Sequence, residues 1–194
     1  LAGSGAVSLT PGAAAGAAFG KWLRITAEGG VTSLSLDAAG LSAGSRLIVG
    51  GSSGNDALQG GCGADLLAGG GGEDTLAGGG GADALRGGSG ADTFRFAAPT
   101  GGRDRILDLE HGVDVLEFSA GSFGGGLMAG MDLGAAGRFV LGTAATVGFG
   151  QFLYDADRLT LSWDADGTGS GRKVAVVVFA ADPGLTASDL SIIA

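Results

Sequence analysis

With 43 glycines in 194 residues and aromatics at only 6%, the chain is poorly supplied for an ordinary compact core and points instead to a repeat architecture. Acidic residues outnumber basic ones 20 to 11, a net charge of −9, which argues against nucleic acid as a partner. The single cysteine, Cys62, excludes a disulfide framework within one chain, and no apolar run approaches the ~18 residues of a membrane span.

Residues 1–20 are rich in Gly and Ala, contain Pro11 and carry no charge. They read as a linker or N-terminal extension, with a weak helix over Ala13–Phe19 as the alternative. The first residue is leucine and no charged, then apolar, leader follows, so the chain is expected to be the C-terminal piece of something longer. From Lys21 to Gly50 three short strands are expected, at Trp22–Thr26, Val31–Leu36 and Arg46–Val49, with turns at Glu28–Gly30 and Ala38–Ser45. They would be either N-terminal capping coils of a solenoid or the tail of a preceding domain.

Residues 51–95 are five nonapeptides in unbroken register: GSSGNDALQ, GGCGADLLA, GGGGEDTLA, GGGGADALR and GGSGADTFR. Aspartate is always sixth (Asp56, Asp65, Asp74, Asp83, Asp92) and a large apolar residue always eighth (Leu58, Leu67, Leu76, Leu85, Phe94). The pattern GGxGxDxUx divides into a six-residue turn and a three-residue strand whose eighth position points inward. Glycine permits positive φ and close backbone approach, so turn carbonyls can converge on a hard cation that takes six to eight oxygens at roughly 2.3–2.6 Å.

This run resembles the RTX (repeats-in-toxin) family, whose nonapeptides bind calcium and build an all-β parallel β-roll with two repeats per coil. The resemblance implies calcium held by the five aspartates together with turn residues Gly51, Ser53, Gly60, Gly61, Gly63, Gly69, Gly70, Gly72, Gly78, Gly79, Gly81, Gly87, Gly88 and Gly90. Turns on one side would lie eighteen residues apart, which faces Asp56 with Asp74, Asp65 with Asp83 and Asp74 with Asp92. About three full calcium sites follow, with partial ones at the ends. Without the cation, stacked aspartates ~5 Å apart would repel by about 3 kcal/mol per pair at an effective dielectric of ~20, so the repeats are expected to be largely disordered until calcium binds. A flexible Gly-rich linker is the competing reading, opposed by the strict phase of aspartate and leucine.

After the repeats, Phe94–Ser119 resembles the segment that closes the roll in serralysin-type metalloproteases and other RTX proteins. By that resemblance Asp108 and Asp114, with Asp104, would ligate the last calcium; alternatively they cap turns and face water. Residues 120–137 read as a loop, and strands resume at Arg138–Leu141, Gln151–Tyr154, Leu159–Trp163 and Lys173–Phe179. The turn Asp164-Ala165-Asp166-Gly167-Thr168-Gly169 resembles the opening of an EF-hand loop. Ala175 stands where that loop needs its glutamate, so a plain turn is the first reading and weak calcium binding the second. The ending LTASDLSIIA resembles the uncleaved signal of type I secretion substrates, which makes residues 96–194 a C-terminal cap with a secretion signal.

Catalytic constellations are missing. The one histidine, His111, cannot complete HExxH and reads as an exposed turn residue. GxSxG at Gly40–Gly44 and Gly50–Gly54 is a cheap match in a glycine-rich chain, and neither copy joins a buried strand to a helix. No phosphate-binding GxxxxGK[ST] occurs. The expectation is a secreted, non-enzymatic calcium-binding module whose partners are calcium, a type I exporter and an upstream domain of the same protein. An assembly or adhesion module, such as a surface-layer anchor, an adhesin end or a polysaccharide-binding R-module, is the alternative, with self-assembly.

Overall fold

The computed structural model describes residues 5–9, 22–27, 31–99 and 101–194. The helix suggested at Ala13–Phe19 lies outside them. Because each nonapeptide holds one turn and one strand, successive strands fall on alternate sides and each pairs with the strand two places on. Eighteen residues separate such partners in the repeats, as in Ala57↔Thr75 and Leu66↔Ala84.

Two sheets result. One orders β1 (Gly5–Leu9), β3 (Val31–Asp37), β5 (Ala57–Gln59), β7 (Thr75–Ala77), β9 (Thr93–Phe96), β11 (Val115–Ser119) and β16 (Leu190–Ile193), all parallel. The other begins in parallel with β2 (Trp22–Thr26), β4 (Arg46–Gly50), β6 (Leu66–Gly71), β8 (Ala84–Ser89) and β10 (Asp104–Ile106). It continues through β15 (Val174–Phe179), β14 (Thr160–Asp164), β13 (Gln151–Asp155) and β12 (Phe139–Leu141), where β13–β14 and β14–β15 are antiparallel. The architecture is an all-β parallel roll extended by a C-terminal antiparallel segment. The strands of residues 22–50 are coils of the same solenoid, and Gly5–Leu9, inside the stretch read as linker, pairs with β3.

Alternation inside each strand puts one residue in register after another into the interior. On one side Leu36, Leu58, Leu76, Phe94, Leu116 and Leu190 stack; on the other, Val49, Leu67, Leu85, Ile106 and Phe179 do, and all are buried. Strands β6 and β8 run six residues rather than three, continuing through the following glycines.

Residues 120–137 are more ordered than the loop their composition suggests. A single helical turn, Ala120–Phe123, is followed by turns that bury Phe123, Leu127 and Leu133. These side chains meet an aromatic cluster that seals the end of the roll. Phe118 stacks on Phe96 with centroids 5.2 Å apart and lies 4.6 Å from Phe152, which is 4.6 Å from Trp163. The Trp163 indole N–H donates to the Phe123 carbonyl at 3.0 Å, so the largest core side chain leaves no polar atom unpaired.

Phe118 is fully buried at the centre of this cluster. Phe118→Ala is expected to destabilise the calcium-loaded protein by about 3–5 kcal/mol, whereas Val113→Ala on the surface should change stability by less than ~0.5 kcal/mol. Urea unfolding of both variants checks this, and similar midpoints would count against the cap as a second core.

Candidate metal centre

Each sixth-place aspartate immediately precedes its strand, so its carboxylate folds back into the turn rather than out to water. All five are at most 3% exposed. Their Oδ1 atoms accept main-chain N–H bonds from the coil before. Asp74 accepts from Asp56 at 2.8 Å, Asp83 from Asp65 at 2.7 Å and Asp92 from Asp74 at 2.9 Å. The three facing pairs expected from the eighteen-residue coil are therefore in contact.

The ladder runs past the repeats in both directions. Asp56 and Asp65 accept from Leu34 and Leu47 in the N-terminal coils. Beyond the fifth repeat, Asp83 donates to Asp104 (3.0 Å) and Asp92 to Asp114 (2.9 Å), while Asp108 accepts from Gly87 (3.0 Å) and lies 3.4 Å from Arg86. Asp104 and Asp114 are buried, not water-facing. The coil has lengthened here, but Asp114-Val115-Leu116 keeps the sixth-to-eighth spacing of the repeat, the signal by which it can be found.

The second oxygens divide the aspartates into two groups. At the N-terminal end Asp56 Oδ2 accepts from Ser52 N and Asp65 Oδ2 from Gly61 N (2.8 Å); at the C-terminal end Asp114 Oδ2 accepts from Glu110 N (2.8 Å). Ser52 also donates its hydroxyl to Asp56, so this serine of the second GxSxG serves the turn. Between these ends, Oδ2 of Asp74, Asp83 and Asp92 is buried with no hydrogen-bond partner. A buried carboxylate oxygen without a partner is costly unless a cation or a proton answers it.

First-place glycines shape the space around these oxygens. A Cβ on Gly69 would overlap Asp74 Oδ2 and come within 2.7 Å of the Gly87 carbonyl; Gly78 and Gly87 stand in the same relation to Asp83 and Asp92. Second-place Gly70, at φ 117°, packs against the Ser52 carbonyl of the coil before, as Gly79 and Gly88 do against Gly61 and Gly70. Glycine thus leaves open a cradle of carbonyl and carboxylate oxygens that a side chain would fill. Fourth-place Gly72, Gly81 and Gly90 also have positive φ, while Gly51, Gly60 and Gly63 lie close under carbonyls of neighbouring coils. Ser53, in the first turn, is exposed, as is Cys62 in the second.

Among the described residues, no three carboxylate, thiol or imidazole groups converge on one point. A cation here must draw most ligands from the main chain, which suits calcium and not zinc. The partnerless oxygens and the glycine cradle fit such an ion.

One contact was not legible in the sequence. His111, exposed as expected, bonds through Nδ1 to the buried Asp189 at 2.8 Å, and Gly112 N donates to the same carboxylate at 3.0 Å. Against its burial, hydrogen bonds from Thr186, Gly112 and His111 hold the Asp189 carboxyl below the usual range. Seventy-eight residues separate the partners, and no local pattern announces the pairing.

Burial pushes the ladder carboxyls the other way. It raises Asp74 to about 6, helped by the charges of Asp56 and Asp92, and Asp83 to about 7, helped by Asp104 and Asp65. Asp104 rises to about 6 through burial, and Asp65, Asp92 and Asp114 rise as well.

Two outcomes are expected. Asp74 alone of the repeat aspartates is bonded to a repeat aspartate on both sides, Asp56 and Asp92, so Asp74→Ala should weaken calcium binding most among them, by about 10-fold or more. Calorimetric titration beside the exposed Asp132→Ala would expose a wrong pairing if the two bound alike. The second concerns pH. The folded chain holds ladder protons more tightly than the unfolded chain, whose aspartates titrate near 3.8. In chelator, stability should therefore be greatest in acid and fall as pH rises from about 4 to about 7, and calcium binding near pH 6 should release protons. Far-UV circular dichroism that showed more β structure as pH rose in chelator would contradict the raised carboxyls.

Residues 50–85 and 60–94 match the family model of the RTX calcium-binding nonapeptide repeat (4 copies). No curated protein matches the chain. Sequence register, paired coils and stacked carboxylates agree with that match, so the segment from residue 50 to 94 carries nonapeptides that match the RTX calcium-binding repeat, wound here as a parallel β-roll.

Proposed function

We propose that the roll is a calcium-triggered folding unit, which stays open where calcium is scarce and closes outside the cell, supporting the folding, stability and type I export of an attached upstream protein. The observation that carries this reading is the row of partnerless buried oxygens on Asp74, Asp83 and Asp92. Three successive turns each hold a carboxylate oxygen that the main chain does not answer, so calcium in these turns is worth most to the folded state. A ligand that binds only the folded chain stabilises it by mass action, about 2.7 kcal/mol at a hundred times its dissociation constant. Main-chain oxygens of the glycine turns and the paired aspartates hold the ion, and Asp104, Asp108 and Asp114 extend the set at the last coil.

The placement of the C-terminal tail supports export before folding. The stretch resembling a secretion signal, residues 185–194, ends in β16, which adds to β11 with Leu190 and Ile192 buried. An exporter can read it only while it is undocked. Among the described residues no helix is long and apolar enough to cross a membrane.

Far-UV circular dichroism during calcium titration, with magnesium as control, should show a coil-to-β transition with calcium alone. In parallel, carboxypeptidase should remove residues 190–194 readily in chelator and slowly in calcium. Full β signal in chelator would overturn the folding switch, and equal trimming in both conditions would overturn the coupling of tail to fold.

A further inference from the structure

The turn between β14 and β15 gathers a second set of oxygens outside the repeats. Asp164 closes β14 at 7% exposure, and its Oδ1 is buried without a hydrogen-bond partner. Asp166 stands two residues further along the same turn.

No basic group among the described residues forms an ion pair with either aspartate. The nearby Arg138 guanidinium donates to the Gly125 and Gly150 carbonyls at 2.7 and 2.9 Å and lies 4.1 Å over the Phe149 ring, while the Lys173 ammonium donates to the Thr143 carbonyl.

Main-chain oxygens crowd the same turn. Gly167, at φ 63°, comes so close to the 147–149 segment that a Cβ would overlap the Val147 carbonyl and meet that of Phe149 at 2.5 Å. Thr168 N donates to Val147 O at 2.9 Å, which clamps the two loops together. On the other side Gly169 and Gly171 wrap Asp166, and Gly171 N donates to its Oδ2 at 2.8 Å. The Asp-x-Asp-Gly turn thus carries a buried, partnerless carboxylate oxygen and is clamped to a segment whose Val147 and Phe149 carbonyls lie against Gly167.

We propose that this turn binds one calcium ion, held by the carboxylates of Asp164 and Asp166 and by main-chain oxygens, separately from the repeat turns. Only oxygens are offered, which selects a hard cation, and an irregular carbonyl rim suits calcium's adaptable shell better than the strict octahedron of magnesium. With Ala175 where an EF-hand has its bidentate glutamate, the site carries fewer charges and binds more weakly than a complete EF-hand loop. Its place in the fold gives the ion a task. Strand β15 lies between β14 and β10, so fixing the β14–β15 turn holds the antiparallel segment against the last coils of the roll. The site does not depend on the folding-switch reading.

The test is calcium stoichiometry of the full chain at saturation, by equilibrium dialysis with atomic absorption. Asp164→Asn and Asp166→Asn should each bind one ion fewer per chain than the parent while keeping its β signal in calcium. Asp166 is exposed, so Asp166→Asn decides the matter even if Asp164→Asn fails to fold. A local readout comes from Trp163, the neighbour of Asp164. In a Trp22→Phe background it is the only indole, and terbium luminescence sensitised by it should be lost on adding Asp166→Asn but kept on adding the repeat variant Asp83→Asn. Unchanged stoichiometry together with unchanged terbium signal in Asp166→Asn would overturn the proposal. Loss of ions in Asp83→Asn alone would leave the repeats as calcium sites and remove the hairpin.

Discussion

The roll depends on stacking like charges inside a protein. Neighbouring coils sit ~4.8 Å apart, and the nonapeptide puts one aspartate above another at that spacing, buried. At an effective dielectric of ~20 each pair repels by about 3 kcal/mol. Main-chain N–H groups from the preceding coil answer one oxygen of each carboxylate, and on Asp74, Asp83 and Asp92 the remaining oxygen is what a cation or a proton must satisfy. A proton and a bound cation are therefore alternative answers to the same oxygens. The glycines serve this constraint, because carbonyls and carboxylates can approach an ion only where no Cβ intervenes.

The two ends of the ladder are closed differently from its middle. At the N-terminal end Ser52, Leu34 and Leu47 supply donors from a departing repeat and from coils without the motif. At the C-terminal end Asp104 and Asp114 carry the ladder into longer coils, where Glu110 completes Asp114. Stabilisation then changes character. Each repeat buries one large apolar residue in nine, too little to hold a chain by burial alone, whereas the cap packs Phe96, Phe118, Phe123, Phe152 and Trp163 against one another. The carboxylate ladder and the hydrophobic cap therefore meet end to end, and β10 and β11 belong to both.

The last strand couples them. Asp189 anchors the turn before β16 through Thr186, Gly112 and His111, and Leu190 and Ile192 then extend the interior stack begun by the repeats. Docking of the tail requires the turn at residues 110–114, which is built on Asp114 and so on the final rung of the ladder.

Much of this was legible in the chain itself, because a repeat carries its tertiary structure in its period. The phase of Asp56 to Asp92 and of Leu58 to Phe94 determined the turns, the inward residues and, through the family resemblance, which aspartates face each other. The strands of residues 22–50 and 138–179 were legible to within a residue or so from β-branched and aromatic runs, since a half-buried strand has a local signature, whereas β1 fell in the stretch read as linker and β16 in the one read as a signal. Pairings between distant residues were not. The His111–Asp189 contact, the helical turn at Ala120–Phe123 with its buried Phe, and the return of β16 to the opposite sheet from β15 each depend on residues with no shared period. Nor could the sequence divide five equivalent aspartates into those the main chain satisfies and those it leaves wanting. That depends on which N–H groups the neighbouring coils present, and only the assembled fold decides it.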